Sequence, residues 1–100
     1  MDKYRVRLYS RAYRDIDNIY KYIAKNLSEP EIALNMINSF EKAIYSLEEM
    51  PNRCPVRKTG VYADGRYRQL SVKNYLIIYR VLTDEKEVHI VTVRYAPSNF

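Results

Sequence analysis

The amino-acid sequence predicts an α+β fold with the element order β-α-α-β-β-β, in which an antiparallel sheet carries a two-helix hairpin on one face. Three observations support this fold class. Residues 4–8 alternate between apolar and polar side chains, as in a half-buried strand. Apolar residues then recur at helical spacing between residues 12 and 47. Three strand-like runs follow after residue 66, and their connections are too short for a crossover, so they should pair antiparallel.

The first strand is predicted over Tyr4–Leu8, and the first helix follows it directly. Ser10 is the expected N-cap, because its hydroxyl can accept a hydrogen bond from a free amide at the helix end. Asp17 and Lys21 are four residues apart and should form a favourable ion pair on the exposed side. The apolar stripe of this helix is Ala12, Ile16, Ile19, Tyr20, Ile23 and Leu27.

A second helix is predicted to begin at residues 28–31. Ser28 and Glu31 have the spacing of a capping box, and Pro30 is tolerated in a first turn because its missing amide hydrogen has no partner there. The short break between the two helices favours an antiparallel hairpin. The second apolar stripe is Ala33, Met36, Ile37, Phe40, Ala43, Ile44 and Leu47.

The segment from Pro51 to Asp64 shows no periodicity and is predicted to be a loop. Loops of this length in compact domains are usually functional or disordered. The chain then returns to strand patterning, with tight turns at residues 73–74 and 83–86. The three predicted strands are Tyr67–Val72, Tyr75–Leu82 and Val88–Tyr95.

Length and composition indicate one domain over residues 1–100. No apolar run is long enough to span a membrane, and the opening residues lead into a strand pattern rather than a signal peptide. Cys54 is the only cysteine, which excludes an internal disulfide and favours a reducing compartment. We therefore expect a cytoplasmic protein with no membrane partner.

Positive charge is concentrated in the second half of the chain. Residues 1–50 contain eight Lys/Arg and eight Asp/Glu, whereas residues 51–100 contain nine and four, so the whole net charge of +5 lies in the second half. Such a block favours an anionic partner, either nucleic acid or an acidic protein segment. The alternative is a basic surface that has no specific target.

The usual catalytic and cofactor motifs are absent from the sequence. The single histidine, His89, and the single cysteine lie in different segments and lack metal-ligand spacing. The two glycines, Gly60 and Gly65, do not form a phosphate-binding loop. We therefore expect no metal and no cofactor. His89 lies between Val88 and Ile90 in a strand, which favours a partly buried structural histidine over a catalytic one.

Arginine and tyrosine remain as the chemically informative residues. Tyr62, Tyr67 and Tyr95 could stack on unpaired bases. Arg68 shares its strand face with apolar residues, so it should lie at a strand end, on a bulge or in a buried pair. Its role could be functional or structural. The basic residues that could bind phosphates are Arg57, Lys58, Arg66, Arg68, Arg80 and Arg94.

Four patterns occur in order along nearly the whole chain. They are Tyr4-Arg5-Val6-Arg7-Leu8, Ala12-x-x-Asp15-Ile16-x-x-Ile19-x-x-Tyr22-Ile23, Ala43-Ile44-x-x-Leu47-x-x-Met50-Pro51 and Tyr67-Arg68-x-Leu70-x-Val72-x-Asn74-Tyr75-x-Ile77-x-Tyr79. Each pattern alone is weak, but their order and spacing resemble the RelE/ParE superfamily of toxins from bacterial type II toxin–antitoxin systems.

This resemblance implies a cognate antitoxin as partner and two mechanisms on one fold. RelE-like members enter the ribosome and cut mRNA, whereas ParE-like members poison DNA gyrase without an established hydrolytic site. An inactive relative that only binds its antitoxin is a third possibility.

For the nuclease mechanism, the resemblance implies Arg68, Arg94 and Tyr95 as catalytic residues. Arg68 matches an arginine on the strand after the loop, and Arg94-Tyr95 resembles the C-terminal Arg-Tyr of the YoeB-like branch. That branch continues with His-Tyr, where this chain has Ala96 and residues 97–100. The expected substrate-binding residues are Arg57, Lys58, Arg66 and Arg80.

Overall fold

The computed structural model describes residues 3–96 and has the predicted α+β order. A one-turn π-helical segment, Tyr22–Asn26, follows the first helix, and a 3₁₀ turn, Pro51–Arg53, follows the second. The helices and strands are β1 (Arg5–Leu8), α1 (Ser10–Lys21), α2 (Pro30–Ser46), β2 (Arg68–Val72), β3 (Tyr75–Leu82) and β4 (Glu87–Tyr95).

The sheet is mixed rather than purely antiparallel, with the strand order β1-β4-β3-β2. The last three strands form the predicted antiparallel meander, but β1 pairs parallel to β4. The expectation of an antiparallel sheet depended on short connections, and these join only the last three strands. The helical hairpin separates β1 from them, so no tight turn fixes its direction.

Neither predicted side-chain cap forms. Tyr9 is the N-cap of α1, and its amide donates a 2.9 Å hydrogen bond to the Ile90 carbonyl, so strand pairing runs directly into the helix. Glu29 is the N-cap of α2, whereas Ser28 has a left-handed backbone conformation with φ 54°. The Glu29 amide donates to the Ile23 carbonyl instead, which completes the reversal between the two helices.

The core lies between the helical hairpin and one face of the sheet. The two predicted stripes supply seven buried residues, but Tyr20 and Leu27 are exposed. Tyr20 lies at the edge of the first stripe. Leu27 follows the π-helical segment, whose wider turn rotates the residues after it out of the α-helical register. The buried stripe residues are Ala12, Ile23, Ala33, Met36, Phe40, Ile44 and Leu47.

A β-bulge in β4 positions α1 on the sheet. Tyr79 pairs with Ile90 whereas Ile78 pairs with Thr92, so Val91 is an extra residue without a partner. The Asp15 carboxylate of α1 accepts hydrogen bonds from the Thr92 hydroxyl and, at 3.2 Å, from the Val93 amide. A polar helix residue therefore satisfies backbone and side-chain donors beside the bulge.

Candidate functional site

The sheet face opposite the helices, called the second face below, is only partly open. Ile77 and Tyr79 point into the helix-side core, so Leu76 and Ile78, which alternate with them, point to the second face. Both residues are nevertheless buried. The centre of this face is therefore covered and is not open to an anionic target.

The loop between α2 and β2 folds back along the sheet. Its residues 55–57 run beside β2 like a short additional strand. The Arg57 amide donates to the Tyr67 carbonyl at 2.8 Å, and the Gln69 amide donates to the Pro55 carbonyl at 3.1 Å. Val56 forms an antiparallel bridge with Arg68. These bonds fix both ends of the loop.

Arg57, an expected substrate-binding residue, is buried and bonded within this loop. Only 3% of the surface of Arg57 is exposed to solvent. Its Nε donates to the Val61 carbonyl at 2.5 Å, and its Nη1 donates to the Gln69 side-chain oxygen at 3.0 Å. Burial, and secondly the charge of Arg94, lower the pKa of Arg57 from its usual value. Arg57 therefore holds the loop on the second face, while the neighbouring Lys58 is exposed.

Two tyrosines of the loop and two arginines form a contiguous series of ring contacts. The guanidinium of Arg94 lies 5.7 Å from the Tyr62 ring centroid, and that of Arg66 lies 5.6 Å from the Tyr67 centroid. The two rings pack edge to face with centroids 5.0 Å apart. We call this series, Arg94–Tyr62–Tyr67–Arg66, the aromatic ladder.

Arg66 is oriented by Asp64. Its Nη2 and Nε lie 2.6 Å and 3.1 Å from Oδ2 of that carboxylate. Hydrogen bonds from the Arg66 side chain and amide lower the pKa of Asp64 from its ordinary value. The pair is exposed to solvent, so it positions the guanidinium more than it stabilises the fold.

The structure brings Arg66, Arg68 and Arg80 together at the edge of the sheet, where they line a cleft of about 290 Å³. We call it the arginine cleft. Among residues 3–96, Arg80 has no hydrogen-bond, ion-pair or ring partner, and it projects from the second face opposite His89. Its guanidinium is the group of this cleft most available to a ligand.

Arg68 lies at a strand end, which is one of the three placements expected from its sequence context, because it is the first residue of β2. Its Nη1 donates to the Cys54 carbonyl at 2.6 Å and to the Asn52 carbonyl at 3.2 Å. These carbonyls belong to the segment that follows α2, so Arg68 joins that segment to β2. The expected catalytic arginine therefore has a structural role.

The other two expected catalytic residues lie on opposite faces of β4. Arg94 contacts the ladder on the second face, whereas Tyr95 contacts Tyr75 on the helix side, with ring centroids 5.4 Å apart. Arg68 pairs with Tyr79 and Tyr95 pairs with Tyr75, positions that are separated by about 13 Å along β3. The structure does not bring Arg68, Arg94 and Tyr95 together. Residues 97–100, where the YoeB-like continuation would stand, are outside the described residues.

Sequence reasoning missed an apolar groove on the helix side. It has a volume of about 580 Å³ and lies between the π-helical segment, the start of α2 and the end of β4. Tyr22, Leu27, Ile32 and Tyr95 line it and are all about half exposed. The signal in the sequence was the presence of Tyr22, Ile32 and Tyr95, large residues that lie outside the two stripes.

His89 has the partly buried, structural environment that the sequence indicated. Its Nε2 lies 2.9 Å from a Glu87 carboxylate oxygen, and its Nδ1 lies 3.2 Å from the Tyr9 hydroxyl. Glu87 also pairs with Arg7 at 3.3 Å. The hydrogen bond from His89 is the main cause that lowers the pKa of Glu87. These contacts tie β1 to β4, and His89 lies across the strand pair from Arg80 of the arginine cleft.

Within residues 3–96, no group of three or more His, Cys, Asp or Glu side chains could hold a metal ion. Across the same residues, no helix is both long and apolar enough to cross a lipid bilayer.

The comparison with known families identifies the class of protein. A family model described as the ParE toxin of the type II toxin–antitoxin system parDE matches residues 6–99. The chain belongs to this family. No curated protein gives a significant match to the chain.

Solved structures share the fold at low sequence identity. The chromosomal ParDE system from P. aeruginosa aligns with a TM-score of 0.77 and 22% identity, over 94% of this chain and 97% of that chain. The toxin–antitoxin complex RelBE2 from Mycobacterium tuberculosis gives 0.66 and 20%, over 98% and 97%. The isolated E. coli RelE toxin gives 0.59 and 14%, over 96% and 87%.

The structural role of Arg68 predicts a stability effect. Arg68→Met should lower the free energy of unfolding by about 1–3 kcal/mol, because two carbonyls lose a charged donor. Arg80→Met, which removes a guanidinium that has no partner within the described part of the chain, should change it by less than about 0.5 kcal/mol. Urea unfolding of both variants measures the difference. An unfolding free energy for Arg68→Met equal to that of the wild type would contradict the structural role.

Proposed function

We propose that this protein is the toxin of a type II toxin–antitoxin module and inhibits growth by binding DNA gyrase, without cutting RNA. The ParE family assignment supports the toxin class. The observation that carries the mechanism is the separation of the expected nuclease residues. Arg68 is bonded to backbone carbonyls, and Arg94 and Tyr95 lie on opposite sheet faces.

Cleavage of RNA beside a 2′-hydroxyl needs aligned groups that neutralise the phosphate and transfer protons. A guanidinium is a poor proton acceptor, because its pKa lies far above neutrality. Tyr95 is the group with a transferable proton in the expected set, and the sheet lies between it and Arg94. A toxin that inhibits by binding needs a complementary surface and no such alignment.

Ribosome-dependent mRNA cleavage is the second candidate. The arginine cleft favours it, because three of the expected RNA-binding and catalytic arginines line one concave surface. Its geometry would have to come largely from the ribosome.

One substitution separates the two mechanisms. Tyr95→Phe removes the hydroxyl that could transfer a proton but keeps the ring that contacts Tyr75. A gyrase-binding toxin should retain growth inhibition with this change. Purified wild type and Tyr95→Phe should both leave plasmid relaxed and stall cleavage complexes in a gyrase supercoiling assay.

Mapped mRNA ends from the same induced cells provide the control. Full supercoiling with excess protein, together with codon-positioned mRNA cuts that disappear in Tyr95→Phe, would replace the gyrase mechanism by the nuclease one. Normal growth with soluble wild-type protein would indicate an inactive, antitoxin-binding relative.

The antitoxin is proposed to place an apolar segment in the groove on the helix side and an acidic segment near the basic residues. Tyr22, Leu27, Ile32 and Tyr95 offer the groove a half-exposed apolar lining. An acidic segment that orders on binding would gain from covering Arg80 and its neighbours. Binding through the groove would persist at high salt, whereas charge contacts would weaken.

The groove assignment can be tested with two matched substitutions on α2. Ile32→Asp places a charge in the groove and should weaken co-purification with the product of the neighbouring open reading frame by about tenfold or more. Leu34→Asp is the control, because Leu34 is similarly exposed but does not line the groove. Equal effects of the two substitutions would place the antitoxin elsewhere.

A further inference from the structure

The aromatic ladder and the arginine cleft form one continuous surface, because Arg66 belongs to both. This surface follows the loop between α2 and β2 and reaches the second face at Arg94. Arg80 and Arg94 both project from that face, about 13 Å apart along the strands. Their charges are not neutralised by ion pairs among residues 3–96.

The residue types alternate in a way that suits a particular ligand chemistry. Guanidinium groups stand at both ends of the ladder, and two half-buried phenol rings stand between them. Arginine binds phosphate oxygens, and the faces of aromatic rings stack on bases. Lys58 adds an exposed positive charge, and Asp64 is the only acid between residues 50 and 83.

An acidic protein segment would use the cations of this surface but not its rings. A nucleic-acid duplex would use the cations through its phosphates, but its base faces are stacked on one another. Only an unpaired strand offers both phosphates and free base faces. The combination of Tyr62 and Tyr67 with flanking arginines therefore favours single-stranded nucleic acid over both alternatives.

The geometry points to a binding site for an unpaired nucleic-acid strand on this surface. Arg80 and Arg94 bind phosphates, and Tyr62 and Tyr67 stack on bases. Arg57 does not contact the strand but holds the loop that presents the two rings. Only the origin of the bound strand depends on the proposed function. If gyrase is the target, the strand is DNA that gyrase holds, so the toxin recognises the gyrase–DNA complex.

Fluorescence anisotropy of the purified full chain tests the site directly. The probes are labelled oligo-dT and oligo-U of about 12 nucleotides and a duplex of the same length, within the range of known single-strand sites. We expect both single strands to bind at low salt, and the duplex to bind about tenfold more weakly or worse. Preference between oligo-dT and oligo-U distinguishes a DNA source from an RNA source.

Substitutions with matched controls attribute the binding to the surface. Tyr62→Leu should weaken single-strand binding about tenfold, because it removes a stacking ring but keeps an apolar side chain. Arg80→Gln should weaken it several-fold and reduce the slope of log Kd against log salt by about one. Tyr13→Leu and Arg14→Gln change exposed residues of α1 and should stay within about twofold of the wild type.

The outcomes separate this inference from the proposed function. No single-strand binding, duplex binding as tight as single-strand binding, or equal losses in the α1 controls would overturn the site. If wild type still blocks gyrase supercoiling in that case, the gyrase mechanism stands without a nucleic-acid contact. Conversely, the wild type could bind single strands through Tyr62 and have no effect on gyrase. That result would support the nucleic-acid site but would show that the strand is not DNA held by gyrase. Circular dichroism of each variant verifies that the fold is intact.

Discussion

The buried guanidinium of Arg57 is the interaction on which the functional surface depends. It ties the middle of the long loop after α2 to the sheet, in addition to the backbone hydrogen bonds beside β2 and the bonds from Arg68 to the Asn52 and Cys54 carbonyls. Its bonds to the Val61 carbonyl and to Gln69 close the loop and cover part of the second face. A buried cation next to Arg94 costs free energy, and the depressed pKa of Arg57 reflects this. The position of Tyr62 and Tyr67 depends on the same contacts.

The sheet divides the surface of this toxin into two functional regions. The helix side carries the apolar groove, where Tyr95 lies, and we assign it to the antitoxin. The second face and its edge carry the ladder and the arginine cleft, and we assign them to the target. This division separates the side chains of Arg94 and Tyr95, although the two residues are adjacent in sequence. In this proposal the antitoxin occupies the groove with its apolar segment and covers Arg80 of the target-binding face with its acidic segment.

Local patterning predicted most of the fold. The strand order of the meander, both helices and the helix-side core follow from periodicity and from short turns. The parallel pairing of β1, the left-handed Ser28 and the π-helical segment did not follow, because each depends on contacts distant in sequence. At the site, the alternation of side chains along the strand limited Arg68 to a strand end, a bulge or a buried pair, but whether Arg57 was exposed could not be predicted. A loop without periodicity gives no information on which of its residues turns inward. The basic residues of the second half were therefore identified as a group. Which of them stabilise the fold and which are available to a ligand became clear only from the structure.

Amide hydrogen exchange of Arg57→Ala against Lys58→Ala tests the central claim most directly. We expect the Arg57→Ala protein to lose protection at the amides of residue 57 and Gln69, while amides of the β3–β4 pairing keep theirs. The Lys58→Ala protein, changed at the neighbouring exposed position, should keep the protection pattern of the wild type. Retained protection in both variants would show that the loop holds its place on the sheet without the buried guanidinium.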